Sequence, residues 1–471
     1  MHHIEQVYIN GEFVTPHGTE RFDLYNPATA RVIGQVRLAD AVDGERAIAA
    51  ARAAFPAWSK TTKQVRIAAL QRMHAAVAAR HDDLLEAVVE EYGAPASRSA
   101  WMASYPAEVI AQAIAALEAF EFTTVAGAAR VEMTPLGVAG LITPWNSDAG
   151  FICGKLAAAL AAGCTAVIKP SEMSALQTQI VTEALHAADL PPGVFNIVTG
   201  RGDTVGETIS RHPHVAKISF TGSTRTGKAI LRNAAENFTR VTLELGGKSP
   251  TLILDDADIK QAIPLAVQAG LMNSGQACVA GTRILVPQSR KAEFEQALAL
   301  AVAAVVSGDP RDAKTVVGPM VSERQWQRVQ GYIQKGLAEG ARLLAGGVGR
   351  PEGTRDGWFV RPTLFTDVHN QMAIARDEIF GPVLCVIAYR DEAEAIAIAN
   401  DTDYGLSALV LGGDSGRARR VAQQIQAGRV LVNTLTHEPK APFGGFKHSG
   451  VGREMGAWGI SAFMEPKSIL S

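Results

Sequence analysis

The chain has 471 residues, 47% of them apolar and 20% charged, a balance that builds large cores and excludes a disordered polymer. Its 45 basic and 47 acidic residues leave a formal charge of −2, which excludes the basic footprint of a nucleic-acid binder. Four cysteines, Cys153, Cys164, Cys278 and Cys385, are too few for a disulfide framework at this length, so reduced thiols in a cytoplasmic protein are expected.

At the N-terminus, "MHHIEQVYINGEF" reaches Glu5 without an apolar run, so no signal peptide is expected. From Asp43 to about Val89 the pattern is helical, with Ile48, Ala51, Phe55 and Trp58, then Leu70, Met73 and Val77, at spacings of three and four. Phe120 to Met133 reads as a hairpin around Gly127. The pattern then changes to short β-rich runs: Leu136 to Ile142, Thr165 to Lys169, Val194 to Val198, Val215 to Phe220 and Val241 to Leu245. Helix-like segments separate them, at Phe151 to Ala162, Ser174 to Ala188 and Thr226 to Ala235. The first of these is broken by Lys155 and rich in alanine, which makes it a poor membrane span. Strands alternating with helices predict an α/β fold, with a doubly wound parallel sheet of the nucleotide-binding type.

After "ELGGKSP" the alternation restarts with strands at Thr251 to Leu254, Thr282 to Val286 and Pro382 to Tyr389, and a helix from Ser289 to Val306. This predicts a second α/β domain from about Gly247. The C-terminal "ISAFMEPKSIL" reads as a β-prone tail. It and the hairpin, both outside the main domains, are expected to pair by their edges with another subunit. The resulting division is a cofactor domain at 1–118 and 135–246, a catalytic domain at 247–448, and a small β oligomerisation element at 119–134 and 449–471.

Two glycine-rich stretches follow strands. "FTGSTRTG" places Gly222 and Gly227 before a helix, and "TGRGDTVG" places Gly200, Gly202 and Gly206 at another strand end. Helix N-terminal amides suit a pyrophosphate. The usual GxGxxG spacing is absent, so either stretch alone also reads as a plain turn. More specific is "NSGQACVAGTR", which sets Cys278 in a small-residue loop before a strand. "LELGGKSP" sets Glu244 at a strand end, and "TPWN" ends another strand with Asn146. A thiol to attack, a carboxylate to activate water and an amide to donate to an oxyanion make a set for covalent acyl chemistry. No zinc-like cysteine pairing is present, so no metal site is expected.

These motifs, with "VIKPSE", "FTGS", "EIFGPV" and "PFGGFKHSGVGRE" in the same order, make the chain resemble the NAD(P)-dependent aldehyde dehydrogenase superfamily. The resemblance implies a homodimer or homotetramer that oxidises an aldehyde to a carboxylic acid through a thiohemiacetal and thioester on Cys278. Glu244 is similar to the family's general base and Asn146 to its oxyanion donor. Lys169 and Glu172 resemble contacts to the adenosine ribose, and Glu378 and Phe380 contacts to the nicotinamide ribose. Trp145, Phe220 and Ser223, together with Gly202, Gly206 and Gly222, are expected to line the cofactor crevice. NAD is expected over NADP, because the Glu172 carboxylate would repel a 2′-phosphate. Glu454 is expected either to relay protons to Glu244 or only to hydrogen-bond locally.

A free thiol is only about 3% ionised at pH 7, so the site must lower the Cys278 pKa or supply a base. Ser147, Gly150 and Gly154 fall at spacings of three, four and seven. Their small side chains are expected to widen one tunnel for a long or bulky aldehyde; close helix packing is the other explanation for Gly154. Transfer of the acyl group to coenzyme A, or an idle scaffold with a binding role, are the competing functions. Glu244 and the intact trio weigh against them.

Overall fold

The computed structural model describes residues 1–354 and 356–470. The five β-rich runs of the first half form the parallel centre of an eight-stranded sheet. Its order is Gly450–Val451, Arg240–Glu244, Val215–Thr221, Val138–Ile142, Thr165–Lys169, Phe195–Ile197, Val7–Ile9, Glu12–Val14. Side chains on successive residues leave opposite faces of a strand. Accordingly Ala139 and Leu141 join the core under helices Lys63–Ala78 and Asp148–Ala162, while Val138 and Ile142 join the core under Ala41–Trp58 and Thr224–Ala235. A strand buried on both faces must be apolar throughout, which is why these runs lack the alternation of a half-exposed strand.

Chain order runs outward in both directions from Val138–Ile142. Such a reversal opens a crevice at the carboxyl ends of the strands. Asn146, Lys169, Gly222 and Glu244 all sit at or just beyond those ends.

A second sheet of seven strands has the order Arg342–Ala345, Thr363–Thr366, Val383–Tyr389, Arg283–Pro287, Pro250–Ile253, Ser407–Leu411, Arg429–Val432. All neighbours are parallel except the first pair. The two sheets are joined through Leu245 to Ser249, so the "LELGGKSP" stretch is the hinge between them.

Three features differ from the sequence expectation. The N-terminal 40 residues carry five strands that the apolar pattern did not reveal, and Val7–Ile9 and Glu12–Val14 extend the first sheet. These last two are only three residues long, too short for periodicity to register. Second, the hairpin Thr123–Ala126 and Ala129–Pro135 pairs with the C-terminal strand Met464–Ile469 of the same chain, in a three-stranded sheet. Third, the segment 449–471 is more than a tail. Gly450–Val451 pairs with Arg240–Glu244 in the first sheet, and helix Gly456–Ser461 packs on helix Ala96–Ala119. Among the described residues no helix is long and apolar enough to cross a membrane.

Candidate active site

Cys278 lies in the loop between helix Ile259–Leu271 and strand Arg283–Pro287. The loop is shaped by three successive residues in the left-handed region: Asn273 (φ 53°), Ser274 (φ 59°) and Gly275 (φ 73°). Such backbone costs of order 1–3 kcal/mol per non-glycine residue and persists only when its surroundings fix it. Here the buried Gln276 fixes it. Its Nε2 donates to Tyr92 Oη (3.3 Å) and to the Pro319 carbonyl (3.2 Å), and its Oε1 accepts from the Val321 amide (3.0 Å). Ser274 Oγ accepts from the Gly318 amide at 2.9 Å. Sequence reading missed this clamp, because its partners lie more than 40 residues away.

Asn146 is 8% exposed. Its Nδ2 donates to the Gln276 carbonyl at 3.0 Å, and its own carbonyl accepts from Asn273 Nδ2 at 3.2 Å. The first bond fixes which end of the amide is nitrogen and leaves its second N–H available.

Glu244 ends the strand Arg240–Glu244, where the Gly222 amide donates to its carbonyl at 3.0 Å. The side chain is 3% exposed, and among the described residues neither carboxylate oxygen has a hydrogen-bond partner. Burial, reinforced by the nearby Glu454 charge, holds its pKa well above the usual carboxylate range. The C-terminal glycine-rich motif makes room for it: a Cβ on Gly444 (φ 156°) would stand 2.7 Å from Glu244 Oε1. Ser449 ties the same motif to the hinge, its Oγ donating to the Gly246 carbonyl at 2.6 Å.

The hinge glycines bring the two sheets together at the site. A Cβ on Gly247 would meet the Cys278 carbonyl at 2.3 Å, and one on Gly246 would meet Glu378 Oε2 at 2.4 Å. The Gly247 amide donates to Glu378 Oε1 at 3.0 Å. Burial pushes the Cys278 thiol up to about 12, with Glu378 and Glu244 adding to the shift. Glu454 accepts from Lys155 Nζ (2.5 Å) and Ser219 Oγ (2.8 Å), and all three line the same cavity as Glu244.

The remaining expected cofactor positions fall into two groups. Lys169 and Glu172 are 3.5 Å apart, Arg201 reaches Glu172 at 3.2 Å, and a Cβ on Gly206 would lie 4.0 Å from Lys169 Cδ. Burial raises the Glu172 carboxyl, but Lys169 and Arg201 outweigh it and hold it low. A Cβ on Gly202 would meet nothing within 4 Å, so that turn borders open space. Nearer the thiol, Phe380 (φ 61°) meets Trp145 edge-on at 5.4 Å. Ser223 caps helix Thr224–Ala235 by accepting from the Thr226 amide. Phe220, in contrast, is 5% exposed in the core, and its ring fills the space beside Gly222.

Cys278, Glu244 and Asn146 line one cavity of about 430 Å³. Ser147, Gly150 and Gly154 line it as well. Helix Ala96–Ala119 packs on helix Asp148–Ala162, and a Cβ on Gly150 would stand 2.6 Å from the Tyr105 ring. Gly154 faces Val109 at ordinary contact distance, 3.6 Å. Close helix packing thus accounts for Gly150, and Trp101, Met102 and Tyr105 supply the wall that the sequence did not identify.

A family model described as "Aldehyde dehydrogenase family" matches residues 13–469. A 3-succinoylsemialdehyde-pyridine dehydrogenase from a Pseudomonas species is 43% identical, covering 100% of this chain and 99% of its own. Among solved structures, a cysteine-to-alanine mutant of aldehyde dehydrogenase C from Pseudomonas syringae, complexed with NAD+ and octanal, is 45% identical. It superposes with a TM-score of 0.97, covering 99% of this chain and 96% of that one. A Mycobacterium tuberculosis aldehyde dehydrogenase complexed with NAD+ is 39% identical at TM-score 0.96, covering 100% and 98%.

Gly247→Ala should press a methyl group into the Cys278 carbonyl and displace the thiol. A shift of about 1 Å is worth roughly a hundredfold in rate, so kcat should fall by about that factor. Circular dichroism and thermal unfolding should show a folded protein; wild-type kcat would remove the hinge glycine from the site's architecture.

Proposed function

The chain belongs to the aldehyde dehydrogenase family, and from that premise we propose that it oxidises an aldehyde to a carboxylic acid with NAD through Cys278. The observation that carries this reading is the shared cavity of Cys278, Glu244 and Asn146, with both Glu244 oxygens buried and unpartnered among the described residues. A carboxylate kept off every local donor is available to take protons.

In this reading the Cys278 sulfur bonds to the aldehyde carbon, and its proton passes to Glu244. The second N–H of Asn146 and the Cys278 amide donate to the oxyanion of the thiohemiacetal. NAD, when bound, supplies the oxidant that takes the hydride and leaves a thioester on Cys278. Once that first proton has passed on towards solvent, Glu244 removes a proton from water, the oxygen attacks the thioester, the carbon–sulfur bond breaks, and the acid leaves as the sulfur takes the proton back from Glu244. Lys155 and Ser219 hold Glu454 behind Glu244, where it receives protons bound for solvent.

The residues fit the cofactor. The open turn at Gly202 and the Lys169–Glu172 pair face one crevice at the switch point of the first sheet. Lys169 and Glu172 would hold the adenosine ribose, and Glu378 and Phe380 the nicotinamide ribose. Trp145, Gly206, Gly222 and Ser223 would line the space between them, with Phe220 acting through its packing on Gly222. The NAD+ complexes of the relatives support this assignment. Lys169 and Arg201 already compensate the Glu172 charge, so NAD is favoured by hydroxyl recognition more than by bare repulsion. The unit built on the eight-stranded sheet serves as the cofactor domain and the seven-stranded unit as the catalytic domain. The exposed strand Thr123–Ala126 offers its edge to a second copy, in a homodimer or homotetramer.

The substrate is a long or bulky aldehyde, a reading supported by the cavity's volume and by the octanal complex of the Pseudomonas syringae relative. Across straight-chain aldehydes of two to twelve carbons, kcat/KM should rise with length, at up to about 0.8 kcal/mol for each buried methylene, and should be higher with NAD than with NADP. Coenzyme A should be unnecessary. A maximum at two or three carbons would overturn the substrate assignment.

Cys278→Ala should abolish turnover while NAD still binds. Glu244→Gln should slow both the acylation that forms NADH and thioester hydrolysis by roughly two to four orders of magnitude, so that no fast burst of NADH precedes the steady state. A burst of about one NADH per site at the wild-type rate would mean that Glu244 is not the base for acylation.

Both reactive groups are acids whose pKa values are raised, and both act as anions. The active form therefore accumulates as pH rises, and kcat/KM should climb from neutral into the alkaline range. A profile that falls above pH 7 would contradict the assignment.

A further inference from the structure

The cavity wall carries positive charge that no carboxylate answers among the described residues. Arg98, on helix Ala96–Ala119, is half-buried and stacks on Trp101 with its guanidinium carbon 3.6 Å from the ring centre. Its Nε is buried, and among the described residues it has neither a hydrogen-bond partner nor a salt bridge. Arg429, at the start of strand Arg429–Val432, lines the same cavity. Its one side-chain hydrogen bond among the described residues is Nε to Ser407 Oγ at 3.2 Å, and its guanidinium lies 5.7 Å from the Phe443 ring centre. No carboxylate lies within salt-bridge distance of either, again among the described residues. Near Arg429, His437 lines the cavity with its Nε2 buried and, among the described residues, unpartnered.

The two acidic residues of the lining do not balance this charge. Glu454 is committed to Lys155 at 2.5 Å, and Glu244 forms no salt bridge or hydrogen bond with either arginine among the described residues. Arginine cannot shed its proton to escape the cost of burial, and buried charge is otherwise paired. Two guanidiniums without counterions in one substrate cavity are the complement of an anionic ligand.

We propose that Arg98 and Arg429 receive a carboxylate carried by the substrate, so that the preferred aldehydes are oxo acids with an apolar middle and an anionic end. The aromatic and aliphatic lining takes the middle, the guanidiniums take the carboxylate, and neutral His437 adds a hydrogen bond. The proposal rests on the aldehyde oxidation argued above and narrows its substrate class.

The test compares matched pairs: a straight-chain ω-oxo carboxylic acid and the neutral alkanal of equal length, from four to ten carbons. The readout is the ratio of their kcat/KM values. Wild type should favour the acid at one or more lengths. A charge-assisted bond is worth roughly ten- to a hundredfold, and Arg98→Met or Arg429→Met should lower the ratio by about that factor. Arg98→Lys and Arg429→Lys, which keep the charge, should restore part of it and guard against misfolding as the cause. The proposal is overturned if wild type favours the alkanal at every length, or if the methionine variants leave the ratio unchanged. It is equally overturned if a neutral ketone- or pyridine-bearing aldehyde outruns every oxo acid. Oxidation of alkanals without a preference for acids defeats this inference alone; oxidation of no aldehyde defeats the function from which it starts.

Discussion

Everything at the site depends on how closely the hinge Leu245 to Ser249 approaches the Cys278 loop. The Gly247 α-carbon leaves no space for a methyl group before the Cys278 carbonyl, and Gly246 leaves none before the Glu378 carboxylate. Two sheets that would otherwise pack through side chains meet here through backbone. That contact sets Glu244, which ends a strand of one sheet, beside Cys278, which precedes a strand of the other. Ser449 closes the arrangement from a third direction by bonding to the Gly246 carbonyl.

The electrostatics follow from this closeness. A carboxylate buried without donors costs several kcal/mol unless it takes up a proton, and the fold could have satisfied Glu244 with any nearby amide. It instead surrounds the group with glycine at Gly444 and places the Lys155 ammonium on Glu454. The outcome is a proton acceptor of raised pKa next to a thiol of raised pKa. Neither is ionised cheaply, and the pair becomes reactive only when a proton moves off the sulfur. The backbone strain at Asn273 and Ser274 belongs to the same economy, since Gln276 holds the loop in a shape that the free chain would leave.

The cavity shows how two helices share one wall. Asp148–Ala162 offers small residues and Ala96–Ala119 fills the gaps with Tyr105 and Val109. The volume left over is therefore set by the pair and not by either helix. The same interlocking places Arg98 in the lining, on a helix whose sequence carries no recognisable functional motif.

Much of the fold was legible in the sequence because its main signals are local. Five runs of β-branched and apolar residues gave the parallel strands, and the glycines beside Glu244 and in the Cys278 loop marked positions where backbone must pass close to something. Strands of three residues, such as Val7–Ile9, have no period to detect and acquire their identity only from the sheet edge they join. The edge pairing of the hairpin was equally invisible. Ala129–Pro135 and Met464–Ile469 are more than 300 residues apart, and alternation shows that a strand wants a neighbour without saying which. Residue identity by itself determined the chemistry available: a thiol, a carboxylate and an amide in small-residue loops. Only the tertiary structure decided their pKa values, the Gln276 clamp, the Tyr105 ring in the space at Gly150 and the uncompensated charge of Arg98 and Arg429. Burial and charge pairing are properties of surroundings, and those surroundings come from parts of the chain that meet only after folding.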